Sequence, residues 1–457
     1  MKSTNREVLD LALPAIGGGL IGLGYHWLNW YWVGKLGATS VTAVAVAMFA
    51  AWAFLSLAQL TASGAAALVA RYVGAGKEAA ARYSASQGLR WSWALAVATA
   101  AAGIVLAPQV YAIANTSAEA ARIGVPYVRI AFGLGAGQMT QIACEAVFRA
   151  RGDTRTPFVL GACGLVVNGC LDPLLVFGGG PVPALGVPGA AIATVIATSG
   201  VALASFLLLR RRGCLASTRP SDEELRLDET TPLPRGPLPL LDLSMGRRLA
   251  RVGLPVAGTG VVFVAIYFLL SRVVTDAGGD AAEAGLGVGL RGEQVAFVLG
   301  SGFAAAASSL VGRRLGAGLP DLAARSAWRS TLLCAALCAA WSLALLAFGR
   351  PIASLFLDAG AARDHAVAYF TIVSWCLVPQ CFEVVLDGAF AGAGLTLPPM
   401  VISILISAVR IPLARWAAFD GGLGVAGIWW TIAATAALRG VVVAVWFARG
   451  TWKTRSV

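Results

Sequence analysis

Long apolar segments of membrane-spanning length alternate with short polar connections along the whole chain. Roughly 20 apolar residues in a helix cross about 30 Å of hydrocarbon, and no segment shows the apolar and polar alternation of a transmembrane β-strand. Twelve segments qualify as predicted spans: residues 14–34, 41–65, 88–112, 123–147, 158–178, 187–209, 251–274, 284–310, 328–349, 365–388, 399–418 and 424–447. The pattern predicts an all-α polytopic membrane protein with twelve transmembrane helices.

Composition and the positions of the charges agree with that prediction. Hydrophobic residues make up 58% of the 457 residues, and charged residues make up 13%. A net charge of +12 would suit a nucleic-acid-binding protein, but most lysines and arginines lie at the termini and in the even-numbered connections. Basic residues accumulate on the cytoplasmic side of membrane proteins, so the charge indicates topology and not a nucleic-acid partner. We expect a multi-pass protein of the plasma (inner) membrane with both termini in the cytoplasm.

The eight cysteines do not follow a disulfide or metal-binding pattern. Seven of them fall in predicted spans, and no C-x-x-C motif occurs. Cys334 and Cys338 share one helix face, but small apolar packing residues explain such cysteines without a ligand. We therefore expect no bound metal.

The two halves of the chain repeat each other. "VARYVGAG" from Val69 returns as "VGRRLGAG" from Val311, a displacement of 242 residues. At the same displacement a set of four residues also returns: Glu145, Phe148, Gly152 and Pro157 correspond to Asp387, Phe390, Gly394 and Pro399. Because each copy has six spans, an even number, the two copies have the same orientation in the membrane and form a parallel internal repeat.

The repeat predicts three parts of the chain. Residues 1–212 form an N-terminal six-helix lobe, and residues 247–457 form a C-terminal six-helix lobe. Between them, residues 213–246 are rich in proline and in charges of both signs, which is typical of a cytoplasmic linker. The pattern does not decide whether this linker is a simple tether or a regulatory segment.

Five short motifs carry a family resemblance. "LALPAIGG", "WVGKLG", "FRARGDTRTP", "NGCLDPLLVFG" and "LGVPGAAIAT" follow one another in this order, with a second six-helix copy behind them. In this the chain resembles the multidrug and toxic compound extrusion (MATE) family, and its fifth span resembles the branch named for DNA-damage-inducible protein F. The resemblance implies a monomeric antiporter that exports amphipathic, often cationic, xenobiotic compounds in exchange for H⁺ or Na⁺, with no cofactor besides the transported ion.

Two positions depart from the patterns of the family. The DNA-damage-inducible protein F branch usually has an aspartate where this sequence has Asn29. The branch named for norfloxacin resistance has a glutamate shortly after the proline of its seventh span, where this sequence reads "VVFVAI". The resemblance therefore leaves the place of ion coupling open between the two lobes.

Asp172 is the candidate for ion coupling in the N-terminal lobe. A carboxylate in the hydrocarbon region costs at least about 2.5–3.5 kcal/mol, so it needs a partner or a function. Asn168 lies one helical turn before Asp172 on the same face, and Asn29 in the first span lies at a similar depth. Desolvation beside neutral amides disfavours the charged carboxylate, which suits a group that takes up and releases a proton. A structural alternative is that Asp172 caps a helix broken at Pro173.

Glu145 differs from Asp172 in its neighbours. It lies one turn before Arg149 at the cytoplasmic end of the fourth span, where an ion pair would keep it charged. We interpret Glu145 and Arg149 as a cytoplasmic gate or structural pair and not as the proton carrier.

Arg410 suggests a charge network in the C-terminal lobe. It falls near the middle of the eleventh span, where a guanidinium group needs an anionic partner, and Glu383, Asp387 and Glu293 are the candidates. We also expect Arg291 or Arg415 to take part. Whether these carboxylates form a second cation site or only pair with arginines stays open.

Two other functions compete with export. One is a flippase for a lipid-linked precursor, which the wider superfamily includes. The other is a membrane-embedded enzyme, which we do not expect because two histidines leave few residues for a nucleophile and base or for a metal triad. The sequence does not identify the substrate or decide between H⁺ and Na⁺.

Overall fold

The computed structural model describes residues 4–114, 116–216, 220 and 239–453, and in them the protein is built of helices. In chain order these are α1 Thr4–Gly34, α2 Ala38–Gly74, α3 Glu78–Ile113, α4 Ala118–Gly133, α5 Ala136–Ala150, α6 Arg155–Phe177, α7 Val187–Arg211, α8 Leu243–Gly316, α9 Pro320–Ser354, α10 Ala361–Val373, α11 Leu377–Gly392, α12 Leu397–Arg415 with a π-helical turn Trp416–Asp420, and α13 Gly424–Ala448. Most of the predicted linker, 213–246, lies outside the described residues.

The helices account for all twelve predicted spans. Nine helices of the described part are long and apolar enough to cross a membrane alone, and a pair of helices with a bend of 66°, Ala361–Val373 and Leu377–Gly392, forms a tenth span. The short helices α4 and α5 together cover the fourth predicted span. The remaining span comes from α8, which contains two.

A glycine divides α8 into its two spans. With 74 residues and a rise of about 1.5 Å per residue, the helix is on the order of 110 Å long, more than twice the thickness of the hydrocarbon core. Gly279 interrupts it with φ 62° and ψ −162°, a conformation that residues with a side chain rarely adopt. Gly279 lies between the seventh and eighth predicted spans, 251–274 and 284–310, and helix continues up to it from both sides.

The chain folds as two units. The C-terminal unit consists of residues 1–16, 258–315 and 319–455, and the N-terminal unit consists of residues 17–257, 316–318 and 456–457. The first turns of α1 thus belong to the C-terminal unit, and the first turns of α8 belong to the N-terminal unit. In the N-terminal unit a Cβ atom on Gly253 would lie 1.7 Å from the carbonyl oxygen of Leu60, so α8 and α2 touch backbone to backbone there.

The described end of the linker is fastened to α3 by hydrogen bonds. Tyr83 donates to Oδ2 of Asp242 at 2.6 Å, and Trp91 donates to the Asp242 carbonyl at 3.1 Å. The other carboxylate oxygen of Asp242 accepts from the backbone N–H groups of Ser244 and Met245, so Asp242 is the N-cap of α8. Burial alone would raise the pKa of Asp242, but the hydrogen bonds from Ser244 and Tyr83 lower it below its usual value.

Replacing Asp242 by asparagine should destabilise the protein in a way that depends on pH. A lowered carboxyl pKa stabilises the fold above the ordinary aspartate pKa of about 3.9, and this contribution is lost as the pH falls through the lower pKa of the folded state. We expect Asp242→Asn to lose on the order of 1 kcal/mol at neutral pH, because a neutral amide oxygen accepts these hydrogen bonds more weakly than a carboxylate. Thermal unfolding of purified protein should show wild type and variant converging as the pH falls below about 3.9. The exposed Asp358→Asn should match wild type at every pH.

Candidate functional site

Asp172 lies at the centre of a polar cluster in the N-terminal unit, which we call the Asp172 cluster: Asp172, Asn168, Asn29 and Thr194. Asp172 and Asn168 are fully buried on α6, and Asn29 on α1 is 7% exposed. Nδ2 of Asn168 donates to Oδ1 of Asp172 at 3.3 Å and lies 3.5 Å from Oγ1 of Thr194 on α7. Nδ2 of Asn29 donates to the same Oγ1 at 3.2 Å. Thr194 therefore joins the three residues that the sequence singled out.

The cluster contains polar atoms that make no hydrogen bond within the described part of the protein. They are Oδ2 of Asp172, Oδ1 of Asn168 and Oδ1 of Asn29, all of them buried. Most buried polar atoms in folded proteins are hydrogen-bonded, so these three oxygens have capacity left for a proton or another donor. No salt bridge joins Asp172 to a lysine or arginine of the described residues.

Small residues on α6 let α1 and α7 come close to Asp172. Gly164 lies two turns before Asp172 on the buried face of the helix. A Cβ atom at Gly164 would lie 2.4 Å from the hydroxyl oxygen of Tyr25 on α1 and 2.5 Å from a methyl group of Val201 on α7. A side chain at this position would clash with both of these side chains. The hydroxyl of Tyr25 is buried.

Glu145 lies in a different environment from Asp172. Arg149 donates to one of its carboxylate oxygens at 3.2 Å, and Gln141 donates to the other at 2.9 Å. Both side chains of the ion pair are partly exposed, at 22% for Glu145 and 30% for Arg149. Glu145 is therefore a paired carboxylate near the end of α5. Tyr25 on α1 is close enough to act electrostatically with both Glu145 and Asp172.

In the C-terminal unit the partner of Glu383 is Arg439 and not Arg410. Nη1 of Arg439 on α13 lies 3.2 Å from Oε1 of Glu383 on α11, with 3% and 8% of the two side chains exposed. Ser403 donates to the same oxygen at 2.9 Å, and Arg439 also donates to Ser407 at 3.1 Å. The guanidinium group of Arg439 stacks over the ring of Phe263 at 4.9 Å. The ion pair is therefore buried and bonded on both sides.

Arg410 is fully buried but binds neutral groups. Nε donates to Thr435 at 2.8 Å, and Nη1 donates to the hydroxyl of Tyr267 at 3.2 Å. Glu293 and Glu383 both interact with it electrostatically, and Glu293 itself accepts hydrogen bonds from Tyr369 and Gln380 at 2.7 Å each. The predicted network thus exists in the described residues as two neighbouring parts, one around Glu383 and one around Glu293.

The other charged residues that the sequence suggested lie apart from these pairs or lack a direct partner. Arg291 stacks over Phe356 at 5.2 Å, and Arg415 stacks over Phe419 at 5.7 Å. Asp387 has a buried carboxylate oxygen without a hydrogen-bond partner in the described part, although Glu383 and Arg439 act on it electrostatically. Neither Arg291 nor Arg415 therefore serves as the cation of the network.

The two units repeat the framework of the site but not its charges. At displacements of 241 or 242 residues, neutral or polar residues of the N-terminal unit have these counterparts: Tyr25 and Tyr267, Tyr127 and Tyr369, Gln141 and Glu383, Asn168 and Arg410, Thr194 and Thr435. The hydrogen bond from position 168 to Thr194 has its equivalent in the bond from Arg410 to Thr435. Asp172, however, corresponds to Ala414, and Glu293 corresponds to Ala51. Each unit therefore has an acidic residue where the other has alanine, whereas the position of Glu145 and Asp387 is acidic in both, and Arg410 stands where the N-terminal unit has asparagine.

Residues 14–174 and 255–416 match the sequence profile of the MatE family, which is more than half of the chain. This chain belongs to the MatE family. The two matched segments also correspond to the two copies of the internal repeat, so the family resemblance seen in the five motifs is confirmed at the level of the family.

Known relatives and solved structures of this transporter family span nearly the whole chain. A probable multidrug resistance protein NorM of Thermotoga maritima is 25% identical over 462 residues, which covers 99% of this chain and 94% of the relative. A FAD transporter of Shewanella oneidensis is 21% identical over 421 residues, covering 92% and 89%. A solved MOP superfamily transporter from Pyrococcus furiosus superposes with a TM-score of 0.87 at 20% identity, covering 100% and 98%. The twelve-helix fold of a MatE transporter is thereby confirmed.

Two residues of this MatE transporter's site escaped the sequence interpretation. Thr194 ends the motif "LGVPGAAIAT", but a threonine in an apolar span forms bonds within its own helix as readily as bonds to a neighbour. Arg439 carried a clearer signal, since it is an arginine within the predicted twelfth span, 424–447. Only the packing of α11 against α13 shows that it pairs with Glu383.

Proposed function

We propose that this protein is an antiporter of the plasma (inner) membrane that exports amphipathic organic compounds in exchange for H⁺. The observation that carries the proposal is the Asp172 cluster, where a fully buried carboxylate has only neutral hydrogen-bond partners among the described residues. Such a carboxylate is stable in the membrane when it is protonated and becomes costly when it is not. A change in its exposure to the two sides of the membrane would couple proton uptake and release to transport. Exchange of this kind needs no catalysis and no cofactor.

The donors of the cluster favour H⁺ over Na⁺. The amide nitrogens of Asn168 and Asn29 point to Asp172 and Thr194, so N–H groups converge there. Na⁺ would need the unpaired oxygens of Asp172, Asn168 and Asn29 to converge on one point beside these N–H donors, whereas a proton needs only the unpaired oxygen of Asp172. A carboxyl group, in contrast, accepts an N–H bond on one oxygen and can hold a proton on the other. The carboxylates of the C-terminal unit are less suited to this task, because Glu383 is bonded to Arg439.

The expected substrate is an amphipathic and cationic compound. The Thermotoga maritima relative is named a probable multidrug resistance protein, which supports export of xenobiotic organic molecules. The pairing of Asn168 with Asp172 supports the branch of DNA-damage-inducible protein F, even though Asn29 stands where that branch has aspartate. The Shewanella oneidensis relative is named a FAD transporter, and Arg410 and Arg439 add positive charge to the C-terminal unit. An anionic nucleotide-like substrate is therefore the second candidate.

Transport into proteoliposomes tests the coupling ion and the substrate together. Purified protein would be reconstituted, and uptake of a fluorescent organic cation would be followed under an imposed ΔpH, under a Na⁺ gradient and with neither gradient. We expect accumulation only under ΔpH. Uptake driven by the Na⁺ gradient alone would contradict proton coupling, and gradient-independent equilibration of a lipid-linked compound would favour a flippase. In a parallel series FAD replaces the organic cation. Transport of FAD without transport of the cation would exclude the cationic substrate.

Both termini should lie in the cytoplasm, because twelve spans with a basic N-terminus bring the C-terminus back to the starting side. A reporter enzyme that is active only in the cytoplasm, fused after Val457, should therefore be active. The matched control is the same reporter inserted after Gly279, at the break between the seventh and eighth spans, which should be inactive. If the reporter is active after Gly279 and inactive after Val457, the topology is the reverse of the predicted one.

A further inference from the structure

Three cysteines of the C-terminal unit form a compact cluster, which we call the thiol cluster: Cys334 and Cys338 on α9 and Cys381 on α11. Their sulfur atoms all lie within 4.8 Å of one another, and the two sulfurs on α9 are 3.9 Å apart. Cys334 and Cys338 are fully buried, and Cys381 is 2% exposed. All three are reduced. The sequence placed Cys334 and Cys338 on one helix face as packing residues, but it did not foresee the third sulfur from α11.

Three converging sulfurs favour a soft metal or metalloid. The net charge of the complex that it forms with three thiolates decides which one. Thiolates bind Cu(I) and Zn²⁺ well, but three thiolates leave two net negative charges around Cu(I) and one around Zn²⁺. Zn²⁺ also requires a fourth ligand, and the group of possible ligands in the described residues ends at the three cysteines. A trivalent metalloid such as As(III) forms a neutral complex with three thiolates and needs no fourth ligand.

The surroundings of the thiol cluster favour a complex with no net charge. The main electrostatic influences on each of the three thiols come from the other two thiols and from burial. The arginines of the C-terminal unit act instead on Cys376, one turn and a half before Cys381. Among the described residues, a net negative charge at the thiol cluster would therefore be buried without a neighbouring cation, which is costly in the interior of a membrane protein.

We propose that Cys334, Cys338 and Cys381 form a binding site for As(III). In the reaction, arsenous acid, As(OH)₃, forms three As–S bonds with the three thiols. Each As–O bond breaks, each hydroxide leaves with the proton of one thiol as water, and arsenic stays trivalent. Arsenous acid is small and uncharged, so it can enter a buried site when the helices open transiently. The product crosslinks α9 to α11.

The test measures arsenic binding to the purified full-length protein incubated with arsenite and then desalted. We expect one arsenic per wild-type chain by elemental analysis, an absorbance band of As–S bonds in the near ultraviolet, and a higher temperature of thermal unfolding. Cys334→Ala, Cys338→Ala and Cys381→Ala should each lose the absorbance band and the thermal shift. Cys144→Ala is the matched control, because Cys144 is equally buried but lies in the N-terminal unit.

Several outcomes would contradict the proposed As(III) site. Absence of bound arsenic in wild type would do so, as would retention of the thermal shift in all three variants or its loss in Cys144→Ala. Parallel incubations with Cu(I) and Zn²⁺ test the charge argument, and tight binding of either metal without As(III) would show that argument to be wrong. If an alanine variant does not fold, Cys→Ser at the same position replaces it, since a hydroxyl group keeps the size but cannot form the As–S bond.

Discussion

Arg439→Ala should lower the stability of the protein by about 3–5 kcal/mol, because it leaves the buried carboxylate of Glu383 without its cation. Ser403 would remain as a hydrogen-bond donor to Glu383, but a neutral hydroxyl does not compensate a charge. The variant also loses the stacking of the guanidinium group on Phe263. Thermal unfolding of the detergent-purified protein, together with the yield of folded protein from membranes, measures the effect.

A second substitution separates the ion pair from simple loss of packing. Arg439→Ala combined with Glu383→Gln removes both charges, so it should recover part of the lost stability. The same Glu383→Gln should restore less stability to Arg410→Ala, because the hydrogen bonds of Arg410 go to Thr435 and Tyr267 and not to Glu383. Arg449→Ala, exposed just after the end of α13, serves as the control and should unfold like wild type. An Arg439→Ala protein as stable as wild type would mean that the ion pair is not important for the fold.

The positions of the helices could be predicted from the sequence because hydrocarbon sets their length. All twelve predicted spans lie on helices, and the 242-residue displacement found in short motifs also relates the side chains of the two units. Breaks inside spans were harder to foresee. The fourth predicted span, 123–147, is divided between α4 and α5, and the tenth, 365–388, is divided between α10 and α11. The pattern of apolar residues simply continues through such a break.

Pairs within one helix were predictable, and pairs between helices were not. The bonds from Asn168 to Asp172 and from Arg149 to Glu145 both follow the spacing of four residues on a helix. The bonds to Thr194 and from Arg439 to Glu383 depend on which faces of neighbouring helices meet. Two buried arginines and three acidic residues of the C-terminal unit allow several pairings of equal plausibility on the sequence alone. Packing selects one of them, and it selected Arg439 where the sequence suggested Arg410.

Asp172→Asn should abolish transport driven by ΔpH while leaving the protein folded and able to bind substrate. Asparagine has the shape of a protonated aspartic acid, and the cluster already accommodates amides at Asn168 and Asn29. The variant cannot exchange a proton. One unit of ΔpH supplies about 1.4 kcal/mol per proton, enough for a tenfold substrate gradient. Wild-type proteoliposomes should therefore approach tenfold accumulation, and Asp172→Asn should stay near equal concentrations on the two sides.

Two further variants show whether the effect belongs to Asp172. Glu145→Gln should keep most of the coupled transport, because Glu145 is an ion-paired carboxylate that we interpret as part of a gate. Glu383→Gln should also keep coupling, although it should be less stable because Arg439 loses its partner. Substrate binding, measured by fluorescence polarisation, must be retained in Asp172→Asn for the loss to be one of coupling. If Asp172→Asn accumulates substrate like wild type while Glu383→Gln is inactive, the proton is carried in the C-terminal unit, and the unpaired oxygen of Asp172 has another role.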